Sequence, residues 1–284
     1  DMFKAIDEVE CDVVDICLPN FLHVEAAKRA FAKGRHVISE KPIATTVEDA
    51  KEMVDAANAA GKKLYYAEDW LFAPALNRAL QVIDEGAIGK PMFVRARECH
   101  CGSHSPFAQT IKFCGGGSMV HLGVHPVCFM LALKENRWTE LTAMTSGGGE
   151  NNLQHKTMEG EDWAAVLMKF EDGTTALLEA NYVTTGGMED VIDFYGDKGC
   201  MKLDTVNNPL RAEIYDSATN AVVPRRVIEA PKQLTGFEYE VAACLRALSS
   251  GAIECPEMPH AEILRMMRWM DALRQSWGVK YPFE

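Results

Sequence analysis

The strand–helix–strand pattern of residues 12–42 restricts the possible folds more than any other segment of this chain. An apolar run covers residues 13–18, an amphipathic helical pattern follows and ends at Gly34, and a second apolar run covers residues 36–39. Strand, helix and strand within about 30 residues are typical of a βαβ unit. The two strands should therefore be parallel, with a right-handed crossover.

Polar residues follow both strands, Pro19-Asn20 after the first and Glu40-Lys41-Pro42 after the second. The carboxyl ends of parallel strands share one edge of the sheet, where ligands bind in open α/β folds. A partly buried ammonium loses proton affinity, so Lys41 could donate a hydrogen bond or exchange a proton near neutral pH. A solvated surface lysine is the alternative, because most lysines are exposed.

Three motifs are spread along the chain. They are Pro19-Asn20-x-x-His23, then Glu40-Lys41-Pro42, and far downstream Gly115-Gly116-Gly117 followed by Gly123-x-His125. Together, and in this order, they resemble the motifs of the Gfo/Idh/MocA oxidoreductases, and the resemblance extends from Asp1 to the end of the chain. It implies an NAD(P)-dependent enzyme that acts on a sugar, a polyol or a related cyclic compound.

The resemblance and the order of the elements predict an α/β chain with two domains. Residues 1–70 should form the C-terminal part of a Rossmann-type, parallel dinucleotide-binding sheet. Residues 71–284 should form an α+β domain for substrate binding and oligomerisation, with a large, open, mainly antiparallel sheet. The last helix could pack back on the first domain. A length of 284 residues suits two domains of roughly 150 residues each.

Periodicity and turn residues locate the remaining elements. The predicted helices cover residues 44–60, 74–85, 118–133, 236–250 and 260–277. The predicted strands cover residues 63–67, 92–98, 140–145, 162–170, 174–183, 190–195, 200–204 and 212–216. Glu171-Asp172-Gly173 is typical of a hairpin turn, which predicts antiparallel pairing of the two strands beside it.

Two further segments supply candidate substrate-binding residues. The predicted strand 63–67 ends before Glu68 and Trp70, at the same edge as the first two strands, so we expect both side chains to contact substrate. His104 lies in a long predicted loop, residues 99–116. Loops of this length inside a domain are often functional, so His104 is a further candidate.

Two histidines, His121 and His125, lie four residues apart in the predicted helix 118–133 and so share a face. His125 matches the family's acid–base histidine. The resemblance implies that His125 takes the hydroxyl proton as a hydride leaves for nicotinamide, that Lys41 polarises the oxygen, and that His121 orients or tunes His125. The residues that would line the nicotinamide side are Pro19, Asn20, His23, Glu40 and Lys41, and those that would contact substrate are Glu68, Trp70, His104 and His125.

Several positions depart from the family's pattern. His121 and Cys128 stand where the family commonly has Asp, and Leu71 stands where it usually has Arg. An imidazole at position 121 would lower the pKa of His125 if protonated, whereas a carboxylate would raise it. No GxGxxG occurs, so the pyrophosphate-binding unit either precedes Asp1 or is missing. The choice between NAD and NADP stays open.

Metal binding is a competing hypothesis for the two histidines. His121 and His125 could share a metal ion with Glu68 as a third ligand. Cys99-His100-Cys101 lacks a second ligand pair at zinc-finger spacing, and alternate residues of a strand face opposite ways. We predict no bound metal.

Charge and cysteine usage limit the partners and the compartment. A formal net charge of −12 would repel nucleic acid and anionic membranes. No apolar run approaches the ~18 residues of a transmembrane helix. The nine cysteines are scattered and odd in number, which is typical of reduced thiols in a cytoplasmic protein. The resemblance implies a homodimer or homotetramer formed through the C-terminal sheet.

Two alternative functions remain open at this point. The first is a non-catalytic sugar- or nucleotide-binding regulatory protein on the same fold, since fold does not fix function. The second is a lyase or glycosidase that uses transient oxidation by NAD. We favour the dehydrogenase, because Lys41 and His125 are both present.

Overall fold

Two β-sheets organise the chain, one with three strands and one with eight. The computed structural model describes residues 1–102, 105–133, 138–204, 211–216, 224–229, 235–278 and 280. The helices are α1 (Met2–Glu8), α2 (His23–Ala32), α3 (Val47–Ala60), α4 (Asp69–Phe72), α5 (Pro74–Asp84), α6 (Ile111–Cys114), α7 (Ser118–His121), α8 (Val124–Leu133), α9 (Gly236–Ser250) and α10 (His260–Ser276). The strands are β1 (Val13–Ile16), β2 (His36–Glu40), β3 (Leu64–Ala67), β4 (Pro91–Cys99), β5 (Trp138–Thr145), β6 (Trp163–Phe170), β7 (Thr175–Asn181), β8 (Glu189–Gly196), β9 (Gly199–Asp204), β10 (Arg211–Asp216) and β11 (Arg226–Glu229).

The three-stranded sheet is parallel, in the order β1-β2-β3. The predicted βαβ unit is therefore confirmed. Helix α3 begins where the Thr46 hydroxyl accepts the backbone N–H of Asp49, and it ends at Gly61 in the left-handed conformation. Both caps satisfy backbone groups that the helix itself leaves unpaired. All three strands end at one edge, as the sequence pattern requires.

Helices from both ends of the chain cover the small sheet. Its side chains alternate between two faces, one packed against the helices of the N-terminal region and the other against α9. On the α9 face, Ile38 and Tyr65 pack with Ala243 and Ala247. The Tyr65 hydroxyl also donates to the carbonyl of Ala252 at 2.9 Å. Residues late in the sequence therefore complete the core of the first sheet.

The eight-stranded sheet has the order β11-β10-β9-β8-β4-β7-β6-β5. Only the β4–β7 pair is parallel among its described strands. The predicted hairpin is confirmed, because Phe170 and Thr174 pair across a turn in which Gly173 has a φ of 84°. Strand β11 is absent from the sequence prediction, since its four residues are mostly exposed and too few to show a period.

The prediction of one helix over residues 118–133 is wrong. The segment forms α7 and α8, separated at Leu122 and Gly123. Pro126 has no N–H to donate to the Leu122 carbonyl, so the helical hydrogen bonds cannot run through this point. Gly123 also lies so near α7 that a Cβ there would sit 2.6 Å from the Met119 carbonyl oxygen. His121 and His125 therefore belong to different helices.

Helix α8 lies between the two sheets and has no polar face. Its residues from Val124 to Leu131 are buried, including His125. It packs against β4 on one side and against α4 and α10 on others. Within the described ranges, no helix combines the length and the apolar character needed to cross a membrane. The apolar surface of α8 belongs to the core because β4, α4 and α10 cover it.

Helix α10 is tied to the first sheet's helices by a buried carboxylate. Asp271 Oδ2 accepts the backbone N–H of Val47 at 2.9 Å, and Asp271 Oδ1 accepts from the Arg274 guanidinium at 3.3 Å. Asp271 and Arg274 are both buried. The carboxylate thus satisfies an unpaired N–H at the start of α3 and neutralises a buried cation.

Replacing Asp271 should weaken this docking. In Asp271→Ala, the buried Arg274 cation loses the Asp271 carboxylate, which should lower the free energy of unfolding by about 3 kcal/mol. The exposed Asp84 of α5 supplies the control, since Asp84→Ala should change the value by less than about 0.5 kcal/mol. Urea unfolding of both variants measures this difference, and equal stabilities would contradict the proposed role of Asp271.

Candidate active site

A cavity of about 400 Å³ opens where the two sheets meet. This volume lies within the range of small-molecule sites. Its walls combine titratable and apolar side chains. The titratable residues of the wall include Lys41, Asp69, Glu98, His121, His125 and Glu240.

Strand ends place most of these groups. Lys41 follows β2, and Asp69 follows β3, so both lie at the carboxyl edge of the parallel sheet. In β4, Val94 and Ala96 face the core, and Glu98 continues the same face toward the end of the strand. The large sheet therefore presents a carboxyl group to the edge of the small one.

Lys41 reaches from the small sheet to the residues beside the large one. Its ammonium donates to the backbone carbonyl of His121 at 2.8 Å. The neighbouring Glu40 carboxylate accepts the backbone N–H of Lys41 at 3.0 Å. Burial raises the pKa of Glu40, partly offset by this N–H and by the Lys41 charge. Lys41 is thus held at the cavity wall with its charge facing buried acids.

His125 lies between carboxyl groups on both edges of its ring. Nδ1 is hydrogen-bonded to Glu68 Oε1 and lies 3.5 Å from Asp69 Oδ1. Nε2 lies 3.7 Å from Glu98 Oε2. The Trp70 ring stacks on the imidazole with 5.4 Å between centroids. The orientation of His125 is therefore set from three sides.

Burial controls the protonation of Glu68 and His125. It raises the pKa of the Glu68 carboxyl to about 8, against the opposing effect of Lys41. Burial, together with the Lys41 charge, lowers the pKa of His125 to about 3. A neutral Glu68 then donates an O–H hydrogen bond to Nδ1, which leaves the hydrogen of the neutral imidazole on Nε2. The tautomer of His125 thus directs an N–H toward Glu98.

His121 has a different neighbour. Its Nδ1 is hydrogen-bonded to the hydroxyl of Tyr182, which is fully buried at the end of β7. The family that the motifs resemble commonly has Asp at position 121. Tyr182 here supplies a polar partner for the imidazole that replaces it, while the His121 backbone carbonyl holds Lys41.

The glycine triplet before α7 is required by a close approach of the chain. A Cβ on Gly117 would lie 2.2 Å from the Glu161 carbonyl oxygen. That carbonyl accepts the N–H of Ser118 at 2.8 Å, and Glu161 Oε1 accepts the N–H of Met119 at 2.9 Å. Glu161 therefore caps the start of α7 and fixes the position of His121.

The remaining predicted site residues lie away from the cavity wall or outside the described residues. His23 is fully buried, with Nε2 2.7 Å from the Leu18 carbonyl oxygen and Nδ1 3.4 Å from the Ser39 hydroxyl. The Asn20 amide donates to the Cys114 carbonyl, next to Pro19 at the same edge. His104 lies outside the described residues.

Glu68 and Trp70 are also fully buried, and both lie behind His125. Sequence reasoning assigned them to substrate contact, whereas the structure places them as supports of the imidazole. The residues that sequence reasoning missed are Asp69, Glu98, Glu161, Tyr182 and Glu240. Glu98 and Tyr182 had a usable signal, because each continues the inward alternation of its strand with a polar side chain.

The lining of the cavity suits a nicotinamide ring chemically. Glu40 and Lys41 line the cavity at the carboxyl edge of the parallel sheet, with Leu122 beside them. A flat ring with one carboxamide needs an apolar contact and a few polar groups, and these residues supply both. The residues present therefore fit the nicotinamide part of a dinucleotide.

Fold and site together define an α/β protein in which a dinucleotide-binding type of sheet shares a polar cavity with a mixed sheet. Residues 1–68 match the family model described as "Oxidoreductase family, NAD-binding Rossmann fold", and residues 76–202 match the "GFO/IDH/MocA C-terminal domain". The chain belongs to the Gfo/Idh/MocA oxidoreductase family. The resemblance seen in the motifs and the predicted fold class are confirmed.

Individual relatives agree with this assignment. Levoglucosan dehydrogenase of Pseudarthrobacter phenanthrenivorans is 27% identical over 213 residues, covering 65% of this chain and 55% of that protein. 1,5-Anhydro-D-fructose reductase of Ensifer adhaerens is 30% identical over 191 residues, covering 64% and 57%. The chain thus matches little more than half the length of these two proteins. The aldose-aldose oxidoreductase structure from Caulobacter crescentus superposes with a TM-score of 0.82 at 23% identity, covering 97% of this chain and 79% of that one.

The Glu161 cap should make stability depend on pH. Burial raises the pKa of Glu161 from 4.5 to about 7, although the Met119 N–H opposes this shift. Because the folded pKa lies above the unfolded one, the contribution of Glu161 is full below pH 4.5 and is lost as pH rises through about 7. Glu161→Gln removes the titration, so its free energy of unfolding should fall less than that of the wild type between about pH 5 and about pH 8.

Chemical unfolding at the two pH values measures both slopes. Glu150→Gln, at an exposed position of the adjacent loop, should keep the slope of the wild type. Parallel slopes for wild type and Glu161→Gln would show that Glu161 stays ionised in the folded protein.

Proposed function

We propose that this chain carries the active site of an NAD(P)-dependent oxidoreductase. The reaction is hydride transfer between nicotinamide and a secondary hydroxyl or ketone of a sugar, polyol or related cyclic compound. The observation that carries the proposal is the presence of Lys41 and His125 on one cavity at the carboxyl edge of the parallel sheet. Two relatives named as a dehydrogenase and a reductase of anhydrosugars support the substrate class.

The cofactor is NAD or NADP, and when bound it accepts or returns a hydride at nicotinamide C4. Glu40 and Lys41 would hold the nicotinamide side, with Pro19 and Asn20 at the same edge. His23 would act indirectly, because its ring fixes the loop after β1. This edge is where ligands bind in open α/β sheets.

His125 would serve as the acid–base group. In the direction of reduction, Nε2–H gives its proton to the oxygen that receives negative charge, while the Glu68 proton moves to Nδ1. In the direction of oxidation, both protons return. Proton transfer by a positioned side chain of this kind typically contributes 10²–10⁴-fold to the rate. The Trp70 ring keeps the imidazole in place during both steps.

Lys41 would stabilise the charge that develops on the reacting oxygen. Its ammonium lies at the cavity wall and is fixed by the His121 carbonyl. A fixed cation in a site that excludes water stabilises a forming alkoxide more than it does in bulk solvent. His121 would position this cation through its backbone and through its contact with Tyr182.

The acidic lining suits a substrate with many hydroxyl groups. Asp69, Glu98 and Glu240 face the cavity, and carboxyl oxygens accept hydrogen bonds from hydroxyls. Met188 and Phe237 add apolar surface, against which the C–H face of a sugar ring can lie. This mixture of groups favours a sugar or polyol over an apolar alcohol.

We also propose how the chain divides into domains, how it assembles and where it works. We place the domain boundary near residue 70, between a dinucleotide-binding part of residues 1–70 and a substrate-binding part of residues 71–284. A homodimer or homotetramer would form through the outer face of the large sheet, where Met144 and Leu167 are exposed. The nine cysteines are free in the described part of the chain, which supports a cytoplasmic protein, and the net charge of −12 supports the absence of nucleic-acid and membrane partners.

Replacing the two reactive residues tests the proposal. Lys41→Ala and His125→Ala should each lower turnover by roughly 10²-fold or more, because each removes a group that acts on the reacting oxygen. Lys51→Ala, on the exposed face of α3, should keep normal turnover. Initial rates with a panel of sugars and polyols, together with melting temperatures, give the comparison.

Near-normal rates in both variants would rule out the assigned roles. Binding of sugar without turnover by the wild type, with any polyol and either cofactor, would instead favour the non-catalytic protein. Product formed without net reduction of NAD would favour a lyase or glycosidase.

The contact of Tyr182 with His121 gives a second test. Tyr182→Phe keeps the aromatic ring and removes the hydroxyl that holds the His121 imidazole, so turnover should fall by roughly 10-fold. Tyr195→Phe is the matched control, because its hydroxyl lies near Asp193 on the opposite face of the large sheet. A changed pH–rate profile only in Tyr182→Phe would separate positioning from loss of stability, and equal rates in both variants would contradict the role.

A further inference from the structure

Two buried carboxyl groups lie opposite each other on neighbouring strands beside the cavity. Glu98 of β4 and Asp190 of β8 are directly opposed in this antiparallel pair of strands. Side chains of opposed residues lie on the same face of a sheet, with Cβ atoms about 5 Å apart. Glu98 is 4% exposed and Asp190 is 3% exposed. The two carboxyls are therefore close neighbours that have little contact with water.

Each of these carboxyls keeps an oxygen without a hydrogen bond. Among the described residues, Glu98 Oε2 and Asp190 Oδ1 are buried and have no hydrogen-bond partner. Two ionised carboxylates in this setting would repel each other, whereas a pair that holds one proton has both a donor and an acceptor. Burial and the Asp190 charge raise the pKa of Glu98 well above its usual range, and burial raises the pKa of Asp190 to about 6. The pair therefore holds a proton at neutral pH.

The other charged groups around the pair act in both directions. Lys41 opposes the rise in the pKa of Glu98, while the carboxyls of Asp69 and Glu68 add to it. Asp69 also raises the pKa of Asp190. Lys41 follows β2, and the two acids follow β3, so all three approach from the edge of the small sheet. The acids of that edge thus favour the proton-holding form of the pair.

The proposed reaction uses a proton that must be replaced, and the inference that follows rests on that proposed function. After reduction, Nε2 of His125 has lost its proton, and the Glu68 proton has moved to Nδ1. Glu68 is fully buried, and its neighbours Trp70 and Cys128 are buried as well, so water does not reach it from behind. The replacement proton therefore has to enter at Nε2.

Glu98 is the acid that faces this nitrogen. Its Oε2 lies 3.7 Å from Nε2 of His125. This separation is longer than a hydrogen bond, and a small rotation of the Glu98 side chain closes it. Hydrogen bonds that take part in catalysis are often long before substrate binds.

We propose that Glu98 and Asp190 form a proton relay that reloads His125 between turnovers. Glu98 gives its proton to Nε2, and the proton on Nδ1 returns to Glu68, which restores the neutral imidazole and the neutral acid. Asp190 then passes a proton to the Glu98 carboxylate and takes another from water. One proton thus enters for each substrate reduced, and in the direction of oxidation every transfer is reversed.

Asp190 connects the relay to solvent at the start of β8. The five residues before it, 185–189, are all exposed. In the described part of the chain, pairing of β8 with β9 begins only at Val191. Water therefore reaches the chain directly beside Asp190, while Glu98 lines the cavity.

Pre-steady-state kinetics of Asp190→Asn test the relay. The first reduction uses the proton already on Nε2, so its rate with prebound reduced cofactor and saturating keto sugar should stay near that of the wild type. Each later turnover needs a new proton, so steady-state turnover should fall by at least about 10-fold, with a larger solvent deuterium isotope effect. Formate, a small acid that carries protons into the cavity, should restore part of the steady-state rate.

Glu189→Gln is the matched control. Glu189 precedes Asp190 in β8, lies on the opposite face of the strand and pairs with Arg97 at 2.8 Å. This variant should keep both the first and the later turnovers of the wild type. Circular dichroism shows which variants fold, and Glu98→Gln supplies the same comparison of first and later turnovers if Asp190→Asn does not fold.

Infrared spectroscopy detects the shared proton without turnover, because a protonated carboxyl absorbs apart from a carboxylate. At neutral pH, Glu98→Gln should reduce the protonated band of the wild type, and Glu189→Gln should leave it unchanged. Equal steady-state rates in Asp190→Asn and wild type, or a first turnover slowed as much as the later ones, would overturn the relay. An unchanged band in Glu98→Gln would overturn it even in a protein that reduces sugars. A wild type that shows the band but reduces no sugar with either cofactor would refute the proposed function, and with it the reloading role, but not the shared proton.

Discussion

Burial of acidic side chains around one imidazole is the constraint on which the rest of this structure depends. The carboxyls of Glu68, Asp69 and Glu98 are removed from water by α8 on one side and by the ends of β3 and β4 on the other. Removing a carboxylate from water is unfavourable unless a proton, a cation or a donor compensates it. The fold gathers these three carboxyls at the place where the two sheets meet.

The same constraint explains why Lys41 lies where it does. The ammonium opposes the rise in the pKa of Glu68 and contributes to the lowering of that of His125. Its hydrogen bond to the His121 carbonyl crosses from the small sheet to the segment packed on the large one. One cation therefore links the electrostatics of the site to the packing of its two halves.

The parts of the fold and of the site that could be predicted are those that depend on residues close together in the sequence. The βαβ unit and the β6–β7 hairpin follow from residues close together in the chain, and these predictions were correct. The parallel β4–β7 pair could not be predicted, because no local sequence pattern indicates which distant strands become neighbours. Glu240 of α9 lines the cavity, but it lies far in the sequence from every motif and could not be predicted. The prediction of a single helix over residues 118–133 was wrong. It followed the helical periodicity of the apolar residues and gave too little weight to Pro126 and Gly123, which interrupt the helix.

Because α9 covers one face of the small sheet, that sheet cannot complete its core early in the synthesis of the chain. Tyr65 contacts Ala252, 187 positions later, so one face of the first sheet stays uncovered until α9 and Ala252 have been synthesised. Contacts of such long sequence separation slow folding and leave apolar strands exposed in the meantime. During translation, the apolar face that α9 covers therefore cannot be buried before residues 236–252 leave the ribosome.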